Sequence, residues 1–379
     1  MASCAMFKVL ILATSHGAAH LRASKAVRGA FFDLCPEINV TIMDAIAQCA
    51  PWFRAYYDSY EIPLRYWPGL WRRIERRQHQ QPSTNPTWLY RLGAKPLFNK
   101  IRALDPDVVV ASEVGVCELA ALHKHRARAR YFLTALELMD FNRGWIRAEV
   151  DLYAVVHPDL GAELEGAGAP NERVAVCGMP IDPAFAQIPE KASARERLGL
   201  RRDLPVVLVL FGGTGFGSPR RIAAELGRVG LPIQAVFIGG NNPGLRAELE
   251  KVCAGADGWR TLGWVDNMHE WMAAADMVLS KPGGSTLMES CACGLPFLAF
   301  DPLPGNEERT CRWIEKWGAG VWVKTAVEIS SSVRRLLDKP EELAELERLA
   351  RAIAHPHAAR DTAAAILTRV QPSCRGRRA

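Results

Sequence analysis

The sequence predicts an α/β protein built from two doubly wound, Rossmann-like halves. Three observations carry the prediction. Short continuous apolar runs alternate with helical stretches, the mark of strands covered on both faces of a parallel sheet. The pattern breaks at Cys177-Gly178-Met179-Pro180-Ile181-Asp182-Pro183, crosses polar, proline-marked residues to Pro205, and then restarts. In the second half, two glycine loops each stand between a strand and a helix. A chain of 379 residues has room for two or three cores at roughly 100–200 residues each. The expected division is 1–180 and 181–356, with a C-terminal helix near 357–370 returning to the first half. A ligand crevice is expected at the carboxyl ends of the strands and between the halves.

Taken in order, Phe7 to Ala13 reads as the first strand, ending in a His/Gly loop, and Leu21 to Phe32 as a helix. Ile38 to Met43 is the second strand. After an aromatic and basic segment, Asp105-Pro106-Asp107 forms a turn into the strand Val108 to Ser112, followed by strands Tyr131 to Thr134 and Leu152 to Val156. The second half begins with strand Val206 to Phe211, a glycine loop and a helix. Strand Gln234 to Ile238, helix Leu245 to Val252, a turn at Gly263 to Val265 and helix Asn267 to Ala275 follow. Strand Met277 to Ser280 leads into the second glycine loop and its helix, and Pro296 to Phe300 is a further strand. Pro340 to Val370 reads as helix interrupted at Pro356, with a loose basic tail after Pro372.

Composition excludes several classes. With 49% apolar and 23% charged residues, the chain is neither disordered nor collagen-like. No apolar run approaches the roughly 18–20 residues of a membrane-spanning helix. Val9 to Ala13 is short and runs into His16-Gly17-Ala18-Ala19-His20 rather than a cleavage site, so no signal peptide is expected. The ten cysteines are scattered without a CxxC pair and read as buried thiols in a reducing cytoplasm.

The net charge of +6 is concentrated. Residues 51–100 hold nine Lys/Arg against three Asp/Glu, an excess equal to that of the whole chain. The same window holds Trp52, Trp67, Trp71 and Trp88 and five of the seven tyrosines, beside Arg72, Arg73, Arg76 and Arg77. Basic heads next to amphipathic rings suit an anionic, half-apolar partner, namely a membrane surface. Nucleic acid would also accept this mixture. For any single residue, an aromatic in the core or a solvated basic face is the plainer reading.

The chemistry-bearing residues lie mainly in the second half. The loops Gly212-Gly213-Thr214-Gly215-Phe216-Gly217 and Lys281-Pro282-Gly283-Gly284-Ser285-Thr286 let the backbone approach a phosphate, while the next helix favours negative charge. Neither has the lysine spacing of a Walker A loop or the GxGxxG dinucleotide pattern. Ser285 and Thr286 supply hydroxyl donors or cap the helix. Glu289, five residues after Gly284, suits the hydroxyls of a ribose; the plain alternative is a surface glutamate.

These residues resemble a family. Trp259 to Asn267 (WRTLGWVDN), Met268 to Asp276, Lys281 to Glu289 (KPGGSTLME), Gly294-Leu295-Pro296 and Asp301 to Arg309 (DPLPGNEER) are similar to family 28 glycosyltransferases. The pattern is nearest to the monogalactosyldiacylglycerol synthases and processive diacylglycerol glycosyltransferases, with the peptidoglycan GlcNAc transferases more distant. The similarity extends to residues 211–217, 178–185 and 17–24 and thins over 45–105.

The resemblance implies the GT-B fold, two Rossmann-like domains facing a cleft, with a UDP-sugar as co-substrate and no metal or other cofactor. By position, Trp264 and Val265 would border a uracil, with Met268 packed nearby. Gly284, Ser285 and Thr286 would hold the diphosphate, Gly213 and Thr214 would approach it from the other loop, and Glu289 would take the ribose. Asn306 and Glu307 would read the transferred sugar. His20 matches the histidine of the family's N-terminal glycine-rich loop and would act as general base, with His16 as competitor.

Three departures stand out. The glycine run is Gly17-Ala18-Ala19, with Leu21 inserted after His20. The family's PGQEE is Pro304-Gly305-Asn306-Glu307-Glu308. The acidic partner of its threonine-aspartate pair is missing from Thr134-Ala135-Leu136-Glu137.

The implied activity is inverting transfer of galactose or glucose to a diacylglycerol-type lipid, forming a β-glycoside. The enzyme would sit peripherally on the inner face of the cytoplasmic membrane, without nucleic acid. The alternatives are a UDP-GlcNAc-dependent transferase or epimerase on the same fold, and a non-catalytic nucleotide-sugar-binding protein.

Overall fold

The computed structural model describes residues 7–15, 18–83, 85–139, 141–211 and 218–376. Its contacts divide the chain into two units. One comprises Met1–Asp182 with Pro304–Asn306 and His357–Ala379, the other Pro183–Leu303 with Glu307–Pro356.

The first unit opens with β1 (Lys8–Ala13), α1 (Ala18–Leu34) and β2 (Asn39–Asp44). The basic segment then folds as α2 (Pro51–Asp58), α3 (Glu61–Tyr66), α4 (Pro68–Gln80), α5 (Thr87–Gly93) and α6 (Lys95–Leu104). Prolines in the first turns of α2, α4 and α6 start these helices where a missing N–H costs nothing. The unit continues through β3 (Val108–Ala111), α7 (Val114–Ala127), β4 (Phe132–Leu136), β5 (Leu152–Val155), α8 (Pro158–Gly166) and β6 (Val174–Val176).

The six strands form one sheet in the order β2-β1-β3-β4-β5-β6, every pair parallel. The chain leaves β1 for one side and returns to β3 on the other, so the order reverses between β1 and β3. Side chains alternate between faces along β1. Leu10 and Leu12 join a core with Phe53, Leu97, Ile101 and Leu119, and Val27 and Phe31 of α1 are fully buried. Asp105 closes α6 in the left-handed conformation (φ 43°), and the Asp107 carboxylate accepts from the Lys8 backbone N–H at 2.9 Å. That residue triplet is a turn, as its sequence indicates.

The second unit runs α9 (Lys191–Arg197), β7 (Val206–Leu210), α10 (Pro219–Leu226), β8 (Gln234–Ile238), α11 (Pro243–Cys253), β9 (Trp259–Leu262) and α12 (Met268–Ala274). It continues with β10 (Met277–Ser280), α13 (Gly284–Ala292), β11 (Phe297–Phe300), α14 (Asn306–Trp317), β12 (Gly320–Val323), α15 (Val327–Asp338) and α16 (Pro340–Ala352). Its parallel sheet has the order β12-β11-β10-β7-β8-β9 and reverses between β7 and β10. Val207, Val209, Phe237, Leu279 and Leu298 meet Ile222, Leu226, Leu249 and Val333 in its core. Asp276 fastens α9 to the sheet: its carboxylate accepts from Val206 N–H at 2.7 Å, Arg195 at 2.5 Å and Lys191 at 3.0 Å. The last helix, α17 (Ala358–Gly376), packs along α1.

Three features differ from the sequence reading. The sequence reading does not mark strands β6, β9 and β12, which are short, and all three are sheet edges. Helix α1 begins at Ala18, so His20 lies in its first turn rather than in a loop; Ala18 and Ala19 are strong helix formers. Helix α17 continues through Pro372 to Gly376, where a loose tail is expected, because the alanine-rich run before it favours continued helix.

Candidate active site

In open parallel sheets, ligands bind beyond the carboxyl ends of the strands where the strand order reverses. In the second unit that point lies between β7 and β10. The loop after β7, residues 212–217, is outside the described residues, and the expected contacts of Gly213 and Thr214 fall with it.

The loop after β10 delivers α13. Its N-cap is Gly283, extended at φ −72° and ψ 134°, and among the described residues no side chain caps the helix. Ser285 and Thr286 are therefore not the helix cap that their residue type allows; Ser285 is 8% exposed. Glu289, one turn beyond Ser285 on the same face, is 5% exposed, which removes the surface-glutamate reading. A carboxylate held this deep is engaged by neighbouring groups of the fold.

Glu307, in the first turn of α14, accepts from the Leu303 N–H at 2.6 Å and stands 3.7 Å from the Lys281 ammonium. Burial pushes its carboxyl above the usual range, and the Lys281 charge opposes that shift. Lys281 thus joins α14 to the glycine loop. The sequence reading includes Lys281 in the loop motif but gives it no role; a lysine two residues before the glycine pair is the available signal. Asn306 opens α14, after a segment containing left-handed Asp301 (φ 55°) and Gly305 (φ 92°). A non-glycine residue in that conformation is strained, and such strain collects at functional loops.

Trp264, Val265 and Met268 follow the carboxyl end of β9, at the same edge of the sheet but on a different strand. The Trp264 ring is 47% exposed and its indole N–H donates to Asp266 at 2.7 Å. The structure therefore groups Gly284, Ser285, Thr286, Glu289 and Glu307 around α13 and its loop, while Trp264 and Val265 lie between β9 and α12 and Met268 opens α12, which packs against α9 and β7.

In the first unit the reversal point lies between β1 and β3, and His20 is there. Its Nδ1 is 2.5 Å from the carbonyl oxygen of Ser112, the residue after β3. A carbonyl only accepts, so Nδ1 carries the proton and Nε2 keeps its lone pair. His16 and Gly17 are outside the described residues. Next to Ser112, Glu113 caps α7, its carboxylate accepting from Gly115 N–H at 3.0 Å, Val116 N–H at 2.9 Å and the Tyr57 hydroxyl at 2.6 Å. A Cβ on Gly115 would collide with that hydroxyl, so the position needs glycine. Ser112 acts through its backbone and leaves no side-chain signal; Glu113 follows a strand as an unusual cap.

The basic segment divides into buried anchors and an exposed face. Phe53 and Tyr90 are in the core with their rings 5.1 Å apart. Trp52 (47%), Trp67 (58%) and Trp88 (61%) are exposed, as are Ile62, Tyr66, Leu70 and Leu92. Arg72, Arg73, Arg76 and Arg77 are exposed along α4. Trp71 departs from the expectation: it is half-buried, 5.8 Å from the Tyr60 ring. Among the described residues no helix is long and apolar enough to cross a membrane.

Comparison with known proteins places these features. The monogalactosyldiacylglycerol (MGDG) synthase family model matches residues 20–181, and the glycosyltransferase family 28 C-terminal domain matches residues 207–351. The processive diacylglycerol beta-glucosyltransferase of Bacillus mycoides is 24% identical over 360 residues, 93% of this chain and 91% of the relative. Its Bacillus pumilus counterpart is 23% identical over 354 residues, 90% and 89% of the two chains. Among solved structures, Acinetobacter baumannii MurG aligns with a TM-score of 0.64 at 13% identity, covering 96% of this chain and 99% of that one. Anabaena HepE in complex with UDP-glucose aligns with a TM-score of 0.58 at 16% identity, covering 95% and 99%. The two parallel sheets are those of the GT-B fold, and the chain belongs to glycosyltransferase family 28.

Proposed function

We propose that the protein is an inverting hexosyltransferase that moves galactose or glucose from a UDP-sugar to the hydroxyl of a diacylglycerol-type lipid, forming a β-glycosidic bond. The observation that carries this reading is the amino end of α13, uncapped by any described side chain and placed at the reversal point of a Rossmann-ordered sheet. A diphosphate there meets amide N–H groups and the positive end of the helix dipole. Buried Glu289 accepts from the ribose hydroxyls, Trp264, Val265 and Met268 border the base, and Asn306 and Glu307 take the sugar. The diacylglycerol glucosyltransferase activity named for the Bacillus relatives supports the lipid acceptor.

In the reaction, the acceptor oxygen bonds to the anomeric carbon as the bond to the UDP oxygen breaks. The acceptor proton passes to Nε2 of His20, whose other nitrogen is held by Ser112. The electron pair leaves with UDP, and amide hydrogens meet its charge. Attack opposite the leaving group inverts the anomeric configuration. The exposed rings and arginines of residues 51–100 support docking on an anionic membrane, with the enzyme peripheral to its cytoplasmic face.

The test is transfer of radiolabel from UDP-galactose and UDP-glucose to dioleoylglycerol by the purified chain. Labelled glycolipid is expected, and His20→Ala should lower kcat by about 10²–10⁴-fold with UDP affinity retained. A protein that binds UDP but labels lipid from neither donor would overturn the reading.

A further inference from the structure

A cavity of about 210 Å³ opens in the first unit between α5, α7 and residues 147–149, which lead to β5. Helix α1, which carries His20, contributes nothing to its lining. Glu118, 6% exposed on α7, accepts from the Arg147 guanidinium through one oxygen and from the Asn85 amide nitrogen at 2.6 Å through the other. Arg147 also donates Nε to the Gly144 carbonyl at 3.2 Å, so its Nη1 is left for a further acceptor. Because a carboxylate only accepts, Asn85 turns its nitrogen to Glu118 and keeps Oδ1 available. Asn85, Glu118 and Arg147 all line the cavity.

Tyr90 is the residue that points to a ligand. Its ring packs on Phe53 with centroids 5.1 Å apart, and the residue is 7% exposed. Its hydroxyl has no hydrogen-bond partner among the described residues, yet the residue borders the cavity. Burial raises the pKa of that hydroxyl and Glu118 is the largest of the charges acting on it, so the oxygen lies toward Glu118 and keeps its proton. A buried hydroxyl without a partner costs free energy, which a bound polar group would offset. The lining sets the class of that group. Two carboxylates, Glu118 and Glu149, stand against one guanidinium, which disfavours a phosphate. A fixed donor at Arg147, a fixed acceptor at Asn85 and a hydroxyl that can do either match a group whose own hydroxyls both donate and accept. The volume lies below the roughly 300–1,000 Å³ of drug-sized sites and suits one sugar ring. His125 marks the mouth, its side chain 73% exposed and 3.0 Å from Glu149. Helix α5 turns Thr87 and Tyr90 to the cavity and leaves Trp88 and Leu92 each 61% exposed.

We infer that this cavity is a second carbohydrate site, separate from the His20 site, which takes the uncharged hexose headgroup of a glycolipid at the bilayer surface. Trp88 and Leu92 enter the interface, while Thr87 and Tyr90 on the neighbouring face of the same helix meet the sugar. The inference rests on the membrane docking proposed above for residues 51–100. It adds that the protein holds a glycosylated lipid without reacting with it, and so stays where such lipids have accumulated.

The probe is β-glucosyl dioleoylglycerol with a photoreactive diazirine on its sugar, in phosphatidylcholine vesicles, with the full chain and no UDP-sugar. Mass spectrometry of the irradiated protein should find the label within residues 83–90, 118–125 or 147–149. Tyr90→Phe removes a hydroxyl that bonds nothing among the described residues. It should leave thermal stability equal or higher and lower the cavity label about tenfold. Thr87→Trp, at an exposed position on the rim, should abolish the label, and His20→Ala should leave it unchanged. Label confined to α1 or to residues beside Ser112, no label on vesicle-bound protein, or a cavity label unmoved by Tyr90→Phe and Thr87→Trp overturns the inference and leaves docking standing. Free methyl β-glucoside should compete only about 100-fold less effectively than the lipid, because it lacks the membrane anchor. Equal potency would overturn the glycolipid assignment. Vesicles that do not bind the protein remove the docking reading; the same diazirine on octyl β-glucoside then reads the cavity in solution, and no label there overturns the sugar site as well.

Discussion

His20 and His123 differ in what their second ring nitrogen meets, and that difference separates a chemical role from a structural one. His20 gives Nδ1 to a backbone carbonyl and lies partly exposed at a strand end. His123 is 4% exposed on α7, 3.3 Å from the Tyr131 hydroxyl and stacked on its ring at 5.9 Å; Nε2 has no partner among the described residues. Burial, with a smaller contribution from the Arg102 charge, lowers its pKa from 6.5 to about 4. The folded value lies below the unfolded one, so between these pH values the unfolded chain binds the extra proton. Stability from this group is therefore present above pH 6.5 and is lost as pH falls toward 4, by about 2–3 kcal/mol. His123→Phe keeps the stack and should flatten this acid loss; urea unfolding midpoints at pH 7 and pH 4.5 measure it, and an unchanged pH dependence would refute the assignment. His20 is singled out in the sequence by its match to the histidine of the family's N-terminal glycine-rich loop. His123 has no such marker, since its environment is made by α6, β4 and α7 meeting in three dimensions.

At the scale of elements, the strands missed in the sequence are all edges, although the edge strand β2 is legible from its Val40 and Ile42 alternation. β7, with Val206 to Leu210 all buried, has an unbroken apolar run; β9 (Trp-Arg-Thr-Leu) and β6 are only partly buried and mix polarity or stop after three residues. An edge strand has one neighbour and less need of apolar side chains, so periodicity has little to report. The helices α2 to α6 were readable as a charged, aromatic segment but not as separate helices, since prolines and short turns interrupt their period. α4 presents Arg72, Arg73, Arg76 and Arg77 beside exposed Trp67 and Leu70. Near an anionic surface each such residue contributes about 1 kcal/mol, so replacing all four by Gln should weaken vesicle association roughly 100- to 1,000-fold. Co-sedimentation with phosphatidylglycerol-containing vesicles at low salt measures it. Raising salt should weaken the unaltered protein in the same direction, as expected for surface charge. Retained binding in the fourfold variant would move docking to another face.

At the scale of the whole molecule, the division into halves was readable because the strand-helix pattern stops and restarts. The return of residues 304–306 and 357–379 to the first unit is a property of the folded chain, with no local marker beyond the helix break at Pro356. Each unit encloses its own core: Leu10, Phe53 and Leu119 in one, Val207, Phe237 and Leu298 in the other. A chain with two separate cores need not unfold in one step. Of the residues proposed to hold the donor, Gly284, Ser285, Thr286, Glu289 and Glu307 belong to the second unit and Asn306 to the first, so a ligand held at α13 would stabilise the second unit first. UDP at a hundred times its Kd should add about 2.7 kcal/mol to the state that binds it. In calorimetry of the full chain, UDP should therefore raise the transition of the second unit. The first unit's transition should move only as far as the two are thermally coupled. Glu289→Ala should reduce the shift, because the ribose loses its acceptor while the α13 amides remain. If UDP moved only the first unit's transition, the diphosphate could not be held at α13.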